Sequence, residues 1–184
     1  QMTGNNTYTG GTTVAGGTLP LQNNHAAGTG AINTTGSVID YGNGIQIDNP
    51  IVVNSNTTQL QVLTGSATQT GVISETGGAR PLEKIGAGSL ILTAANTYTG
   101  PTTITAGTLQ LGNGGVTGSV AGNIVDNATL AINRSDNFVL ANTISGTGAF
   151  QQNGSGITRM TGTNAYSGGT TISAGTLQLG AGGA

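Results

Sequence analysis

The side chains best equipped for chemistry in this 184-residue chain are six carboxylates, Asp40, Asp48, Glu75, Glu83, Asp126 and Asp136, and one imidazole, His25. Two carboxylates facing each other across a cleft can serve as acid and base in cleaving a glycosidic bond. The closest pairs here are Asp40 with Asp48 and Asp126 with Asp136, and neither separation returns a residue to an equivalent place in a repeating coil. No catalytic residue is assigned. His25, in "LQNNHAAGTG", reads as an exposed turn residue. Zinc takes three or four protein ligands, and the chain has no Cys. The calcium-binding repeat of other solenoids needs an Asp in each Gly-rich turn, and "LGNGGVTGSV" has none. The stretches "GAGSL" (86–90) and "GTGAF" (146–150) lack the Lys and the following helix of a phosphate-cradling loop. No metal-binding or cofactor-binding residue is assigned, and no cofactor is expected.

The remaining polar features are weaker signals. Asn-X-Ser/Thr triplets at Asn5, Asn33, Asn56, Asn127, Asn133 and Asn153 follow from a composition rich in Asn, Ser and Thr. Paired threonines invite comparison with ice-binding solenoids, which need a flat outward Thr face. The first Thr of each pair, however, alternates with an aliphatic residue and reads as inward. Tyr8, Tyr98 and Tyr166 are expected over corners of a coil, hydroxyls in water. At roughly 15 to 20 Å apart they are too distant to form one sugar-stacking row.

Those tyrosines belong to a phrase that occurs three times: "NTYTGGTTVAGGTLPL" (6–21), "NTYTGPTTITAGTLQLG" (96–112) and "NAYSGGTTISAGTLQLG" (164–180). Counting from Tyr, every copy has Asn at −2, Gly at +2, Thr at +4 and +5, an aliphatic at +6, Gly at +9 and Leu at +11 and +13. Apolar and polar residues alternate on either side of the +9 Gly, so each phrase reads strand, turn, strand. No segment holds a 3.6-residue apolar period, and almost no helix is expected. The similarity extends upstream, where 82–100 aligns with 150–168 without a gap.

Successive tyrosines are 90 and 68 residues apart. A rung of about 22 to 23 residues would make these four rungs and three. Short strands, Gly and Asn turns and such a rung describe a parallel β-solenoid of about eight rungs, roughly 40 Å long. Leu, Ile, Val and Thr would form its inner rows. An antiparallel β-sandwich is the structural rival, but its strands need not repeat in sequence.

Composition supports an ordered, largely uncharged β structure. Charged residues are only 5% of the chain and β-branched residues are plentiful, which excludes the usual disordered composition. Gly does not recur at every third position, so collagen is excluded. The net charge is −2 and the four basic residues are dispersed, so nucleic acid is not an expected partner. No run is long and apolar enough for a spanning helix, and no direct membrane insertion is expected.

The stretch Gly86 to Gly112, "GxGxLxLTxxNTYTGxTTIxAGTLQLG", resembles the passenger-associated transport repeat of bacterial autotransporters, also called the autotransporter-associated β-strand repeat. The stretch Asn127 to Phe150 resembles the segment that joins one such repeat to the next. The resemblance implies a right-handed, single-stranded parallel β-helix, all-β, within a long passenger that crosses the outer membrane. It also implies partners: neighbouring rungs of the parent passenger and a C-terminal translocator barrel. No catalytic motif accompanies the repeat. The expected organisation is one β-helix segment over 1–184 with repeat phrases at 3–21, 92–112 and 160–180.

The function expected is that of a non-enzymatic stalk or spacer, displayed outside the cell on the bacterial surface or released, in passengers that include adhesins. The alternatives are a glycan-binding or glycan-processing β-helix, which needs an acidic or aromatic groove, and an ice-binding Thr-rich solenoid. Bare terminal rungs at Leu19 and Leu179 would favour end-to-end association.

Overall fold

A computed structural model describes residues 1–180. It contains twenty-two strands of two to four residues, paired in parallel, and no helix among the described residues. The strands stack on three sides. The first side carries β2 (Thr18–Leu21), β4 (Val38–Tyr41), β7 (Thr58–Gln61), β10 (Leu82–Ile85), β12 (Thr102–Ile104), β14 (Ile124–Asp126), β17 (Ile144–Gly146) and β20 (Asn164–Tyr166). The second carries β5 (Gln46–Ile47), β8 (Ser66–Gln69), β11 (Ser89–Leu92), β13 (Thr108–Leu111), β15 (Thr129–Ile132), β18 (Ala149–Gln152) and β21 (Thr170–Ile172). The third begins with β1 (Thr12–Val14), β3 (Ile32–Thr34), β6 (Ile51–Val53) and β9 (Ile73–Glu75). After a stretch joined by the isolated Ala95–Ser119 bridge, it resumes with β16 (Asn137–Leu140), β19 (Ile157–Met160) and β22 (Thr176–Leu179). The chain visits first, second and third sides in turn, which makes a parallel β-solenoid of about eight turns.

Strand brevity and alternation give the coil its core. In β13, Leu109 and Leu111 are buried while Thr108 and Gln110 are half-buried, so successive side chains go in and out. Parallel register then aligns like with like: Leu90, Leu109, Leu130 and Phe150 form one inner row across four rungs. Each such side chain is closed off from water, a transfer worth about 1.5–3 kcal/mol per large aliphatic or aromatic side chain. The corner after the phrase's first strand needs a left-handed residue. Gly17, Gly107 and Gly175 supply it with φ of 75°, 69° and 61°.

The rung is shorter and less regular than 22 to 23 residues. Offsets between paired residues run from 19 (Ser89 to Thr108) to 24 (Leu60 to Lys84), and several rungs take 20, as from Leu19 to Ile39. Corners absorb the variation, because an extra residue in a surface turn leaves the paired strands undisturbed.

The two ends also differ. Leu19 was expected on a bare rung but is only 8% exposed, because the chain's first residues fold beneath it. Met2 bridges to Leu21, its amide donating to the Pro20 carbonyl and its carbonyl accepting from the Gln22 amide. Leu179, at the other end, is 71% exposed and Ile172 is 54% exposed.

The stacked core makes an energetic contrast between faces. Leu109→Ala is expected to reduce the free energy of unfolding by about 2–5 kcal/mol. Ser89→Ala, on an outward position of the adjacent rung, is expected to change it by no more than about 0.5 kcal/mol. Urea titrations of both variants followed by far-UV circular dichroism check this; equal losses would refute the inward assignment.

Candidate functional site

No cleft gathers reactive groups, so the repeated phrase itself is the unit to build from its residues. Its Tyr hydroxyl pairs with the Thr hydroxyl four residues on in all three copies: Tyr8 with Thr12 at 2.8 Å, Tyr98 with Thr102 at 2.7 Å and Tyr166 with Thr170 at 2.8 Å. This bond spans the corner between the Tyr and the first phrase strand. It corrects the expectation that these hydroxyls face water: Tyr98 is fully buried, and burial raises its phenol pKa. Tyr8, at 40% exposed, still makes the same bond.

The Asn at −2 ties one rung to another. Asn96 accepts a hydrogen bond from the Ile73 amide at 2.8 Å and donates to the Ser119 carbonyl at 2.9 Å, so it clamps the rungs on both sides of its own. Asn6 donates to the Ala26 carbonyl at 2.8 Å, and Asn164 accepts from the Ile144 amide at 3.3 Å. The Gly at +2 is required where another rung lies against it. A Cβ on Gly100 would collide with the Arg80 backbone, and one on Gly168 with the Gly148 carbonyl. Gly10, in the first copy, has open space.

The copies do not stack on one another. Copy one places its two strands, β1 and β2, on the third and first sides. Copy two places β12 and β13 on the first and second, and copy three places β21 and β22 on the second and third. From β2 to β12 is four steps along the first side, and from β13 to β21 is three along the second. The tyrosine intervals are therefore four rungs and three rungs, each plus a third of a turn. The expectation of whole-number rungs is corrected. Thr12, Thr102 and Thr170 consequently face three directions and build no Thr ladder.

The acids do not converge. Among the described residues there is no group of three His, Cys, Asp or Glu side chains placed to hold a metal ion. Asp136 takes a bidentate pair from Arg134 at 2.9 and 2.7 Å, and that hydrogen-bonded guanidinium holds its carboxyl below the usual range. Arg134 also donates to the Val116 and Gly118 carbonyls and lies 4.2 Å from the Phe138 ring centre. It thereby fixes the Gly-rich excursion 112–118. Glu83 accepts from Gln59 at 2.7 Å and Thr105 at 2.5 Å. Burial opposes the charged form of Glu75, but hydrogen bonds from Thr99 and the Arg80 amide outweigh it and lower its pKa. Asp40 lines a shallow recess beside Gln22, its carboxyl raised by partial burial, and Asp48 and His25 are exposed.

Two charged residues lie inside the coil, unremarked by motif analysis. Lys84 and Asp126 share an inner row with Leu60 and Ile104, and both are closed off from water. The Lys84 ammonium donates to the carbonyls of Ile85, Gly86 and Ala106 at 3.0, 2.8 and 3.0 Å, using its three protons. Burial pulls its pKa down to about 8, and it stays largely protonated at neutral pH. Gln152, its counterpart in the aligned stretch, donates to the Gly154 carbonyl at 2.9 Å, as Lys84 does to Gly86. Asp126 is less well served: Oδ1 accepts from the Ala128 amide, and Oδ2 has no partner. Burial raises its pKa. Period-two alternation through "LEKI" and "IVD" was the available signal, since it puts Lys84 and Asp126 on the same face as Leu82 and Ile124.

The geometry thus defines a parallel β-solenoid assembled around one phrase whose internal bonds recur on every side. The model of the passenger-associated-transport-repeat matches residues 1–20, 82–111 and 150–179, around the three phrases. The chain is 43% identical over 184 residues to "Adhesin BmaC autotransporter" of Brucella suis biovar 1 (strain 1330); the match takes in 99% of this chain and 5% of that adhesin's length. The chain belongs to the bacterial autotransporter passengers that carry the passenger-associated transport repeat. No solved structure matches it.

Two substitutions probe these interactions. Tyr98→Phe leaves the buried Thr102 hydroxyl short of a partner and is expected to cost about 1–3 kcal/mol, whereas Tyr166→Phe, in a solvated copy, should cost less than about 1 kcal/mol. Denaturant unfolding of both variants checks the difference. Asp126 has a folded pKa above its ordinary value of 3.8, so its contribution is fully present below that value and is lost as pH rises through the folded pKa. Asp126→Asn should therefore be nearly neutral at acidic pH and increasingly stabilising towards pH 8. Melting temperatures across this range would show a widening gap; a gap that narrows with rising pH would refute the assignment.

Proposed function

We infer that this segment is a non-enzymatic stalk within an autotransporter passenger, carrying length and exportability rather than a reactive centre. The observation that supports this most directly is the phrase: three copies spend their polar side chains on bonds within and between rungs. Gln69, Lys84 and Gln152, buried at strand ends, likewise turn to corner carbonyls. Each rung pairs only with its neighbours, so added rungs can consolidate one after another as chain becomes available. The matched relative is named an adhesin autotransporter. A passenger of that kind would join this stalk to a C-terminal translocator barrel and display it outside the cell, with the adhesive surface elsewhere along the chain.

The experiment compares two kinds of variant in the full passenger on intact cells. Outward substitutions Asp48→Asn, Glu83→Gln and Arg159→Gln are expected to leave both surface display and adhesion unchanged. Leu109→Asp buries an unpaired charge in the stack and is expected to lower the amount of protease-resistant passenger displayed. Loss of adhesion in Glu83→Gln at unchanged display would move the activity into this segment and overturn the stalk reading.

A further inference from the structure

The end formed by β20, β21 and β22 is an unfinished rung. Its strands are paired only with those of the preceding rung, and Leu179, at 71%, and Ile172, at 54%, are far more exposed than the Leu111 and Ile104 that hold the same places in copy two. The sequence at this end, "AGTLQLG" (174–180), is identical to "AGTLQLG" (106–112), the second strand and corner of copy two. In the interior, that strand receives β15, with Leu130 over Leu109, Ala131 beside Gln110 and Ile132 over Leu111. The two ends of the coil are not alike, because residues at the start of the chain already cover the first rung.

We propose that this end is the seat for a segment of the 113–180 type, and that each copy of the phrase enters one side further round than the last, so a fourth copy returns to the pair of sides used by the first. The phrase is indifferent to side. Its Tyr–Thr bond measures 2.7–2.8 Å on all three, and its +9 Gly is left-handed on all three. What sets the side is the length of chain between copies, a whole number of rungs plus one third of a turn. The occupant is therefore an uncharged, Leu/Ile-alternating strand that extends the third side in parallel. It lays its Leu130 and Ile132 equivalents over Leu177 and Leu179. This goes beyond the stalk reading and does not depend on it: adhesion could map to this segment and the rotation would still stand.

The chain has no Cys, so disulfides can report register. In an extended chain, residues 113–180 are appended a second time after Gly180, with Gln178→Cys and Ala131→Cys in the appended copy. Adjacent strands lie about 4.8 Å apart, within disulfide reach. The expected result is rapid, complete cross-linking of this pair and none when the second cysteine is placed at the appended Gln151, one rung further on. Proteolysis back to about residue 180, or cross-linking of the Gln151 pair alone, overturns the proposal. A shortened chain supplies an independent test. Removing residues 97–164 joins Asn96 to Ala165 and should move β21 to the place of β12, where Glu83 now faces Thr103. Glu83→Cys and Thr171→Cys should then cross-link. Because side-indifference requires both chains to fold, loss of the β-sheet circular dichroism signal in either one also counts against it. Failure of these tests with normal surface display would discard the rotation and leave the stalk reading in place.

Discussion

Backbone hydrogen bonding between one turn and the next is the interaction on which the rest of this molecule depends. Once each strand is paired in parallel with the strands before and after it, side chains at the same place in successive turns are forced into contact, and their types must agree. The inner row Leu90, Leu109, Leu130 and Phe150 follows from that constraint. So does the need for Gly100 and Gly168, since a coil drawn tight by its ladder brings another rung's backbone too close for a Cβ. The narrow interior has room for few rings. Phe150 and Tyr166, with centres 6.2 Å apart, share one such space.

The same constraint makes corners the difficult places. A chain that turns three times per rung leaves carbonyls facing inward where no strand pairs with them, and buried carbonyls need donors. Gln69 and Gln152 answer this with a side-chain amide, Lys84 with an ammonium, and Asn49 and Asn142 by reaching three carbonyls each on another rung. A charged lysine inside a β-solenoid is thus a structural donor, interchangeable in position with glutamine. Asp126 is the counterexample: an acceptor where its neighbours are donors, with one oxygen unserved.

Much of this was legible in the sequence. Alternation about the +9 Gly predicts two strands per phrase, and the aligned copies predict a solenoid; β12 with β13 and β21 with β22 have that form. The rung length was misread for a definite reason. Intervals of 90 and 68 residues yield a rung only if the copies are assumed to share a side, and nothing local to the phrase records which side it occupies. Side is a running total over every corner in between, including the long excursions 76–81 and 112–118. The Tyr–Thr bond escaped notice for the opposite reason: it lies wholly within four residues, yet its geometry appears only once the corner is folded. Lys84 and Asp126 were visible to alternation but masked by the habit of placing charge outside.

The rotation of the phrase by a third of a turn has a mechanical meaning. A repeat that always returned to one side would stack its corners, its bulky Tyr and its Asn clamps along a single edge, and any small difference in rise between that edge and the other two would accumulate as curvature. Distributing the same element over three sides lets those differences cancel after three copies. Such a rod has no preferred plane of bending, and its stiffness is the same in whichever direction it is pushed.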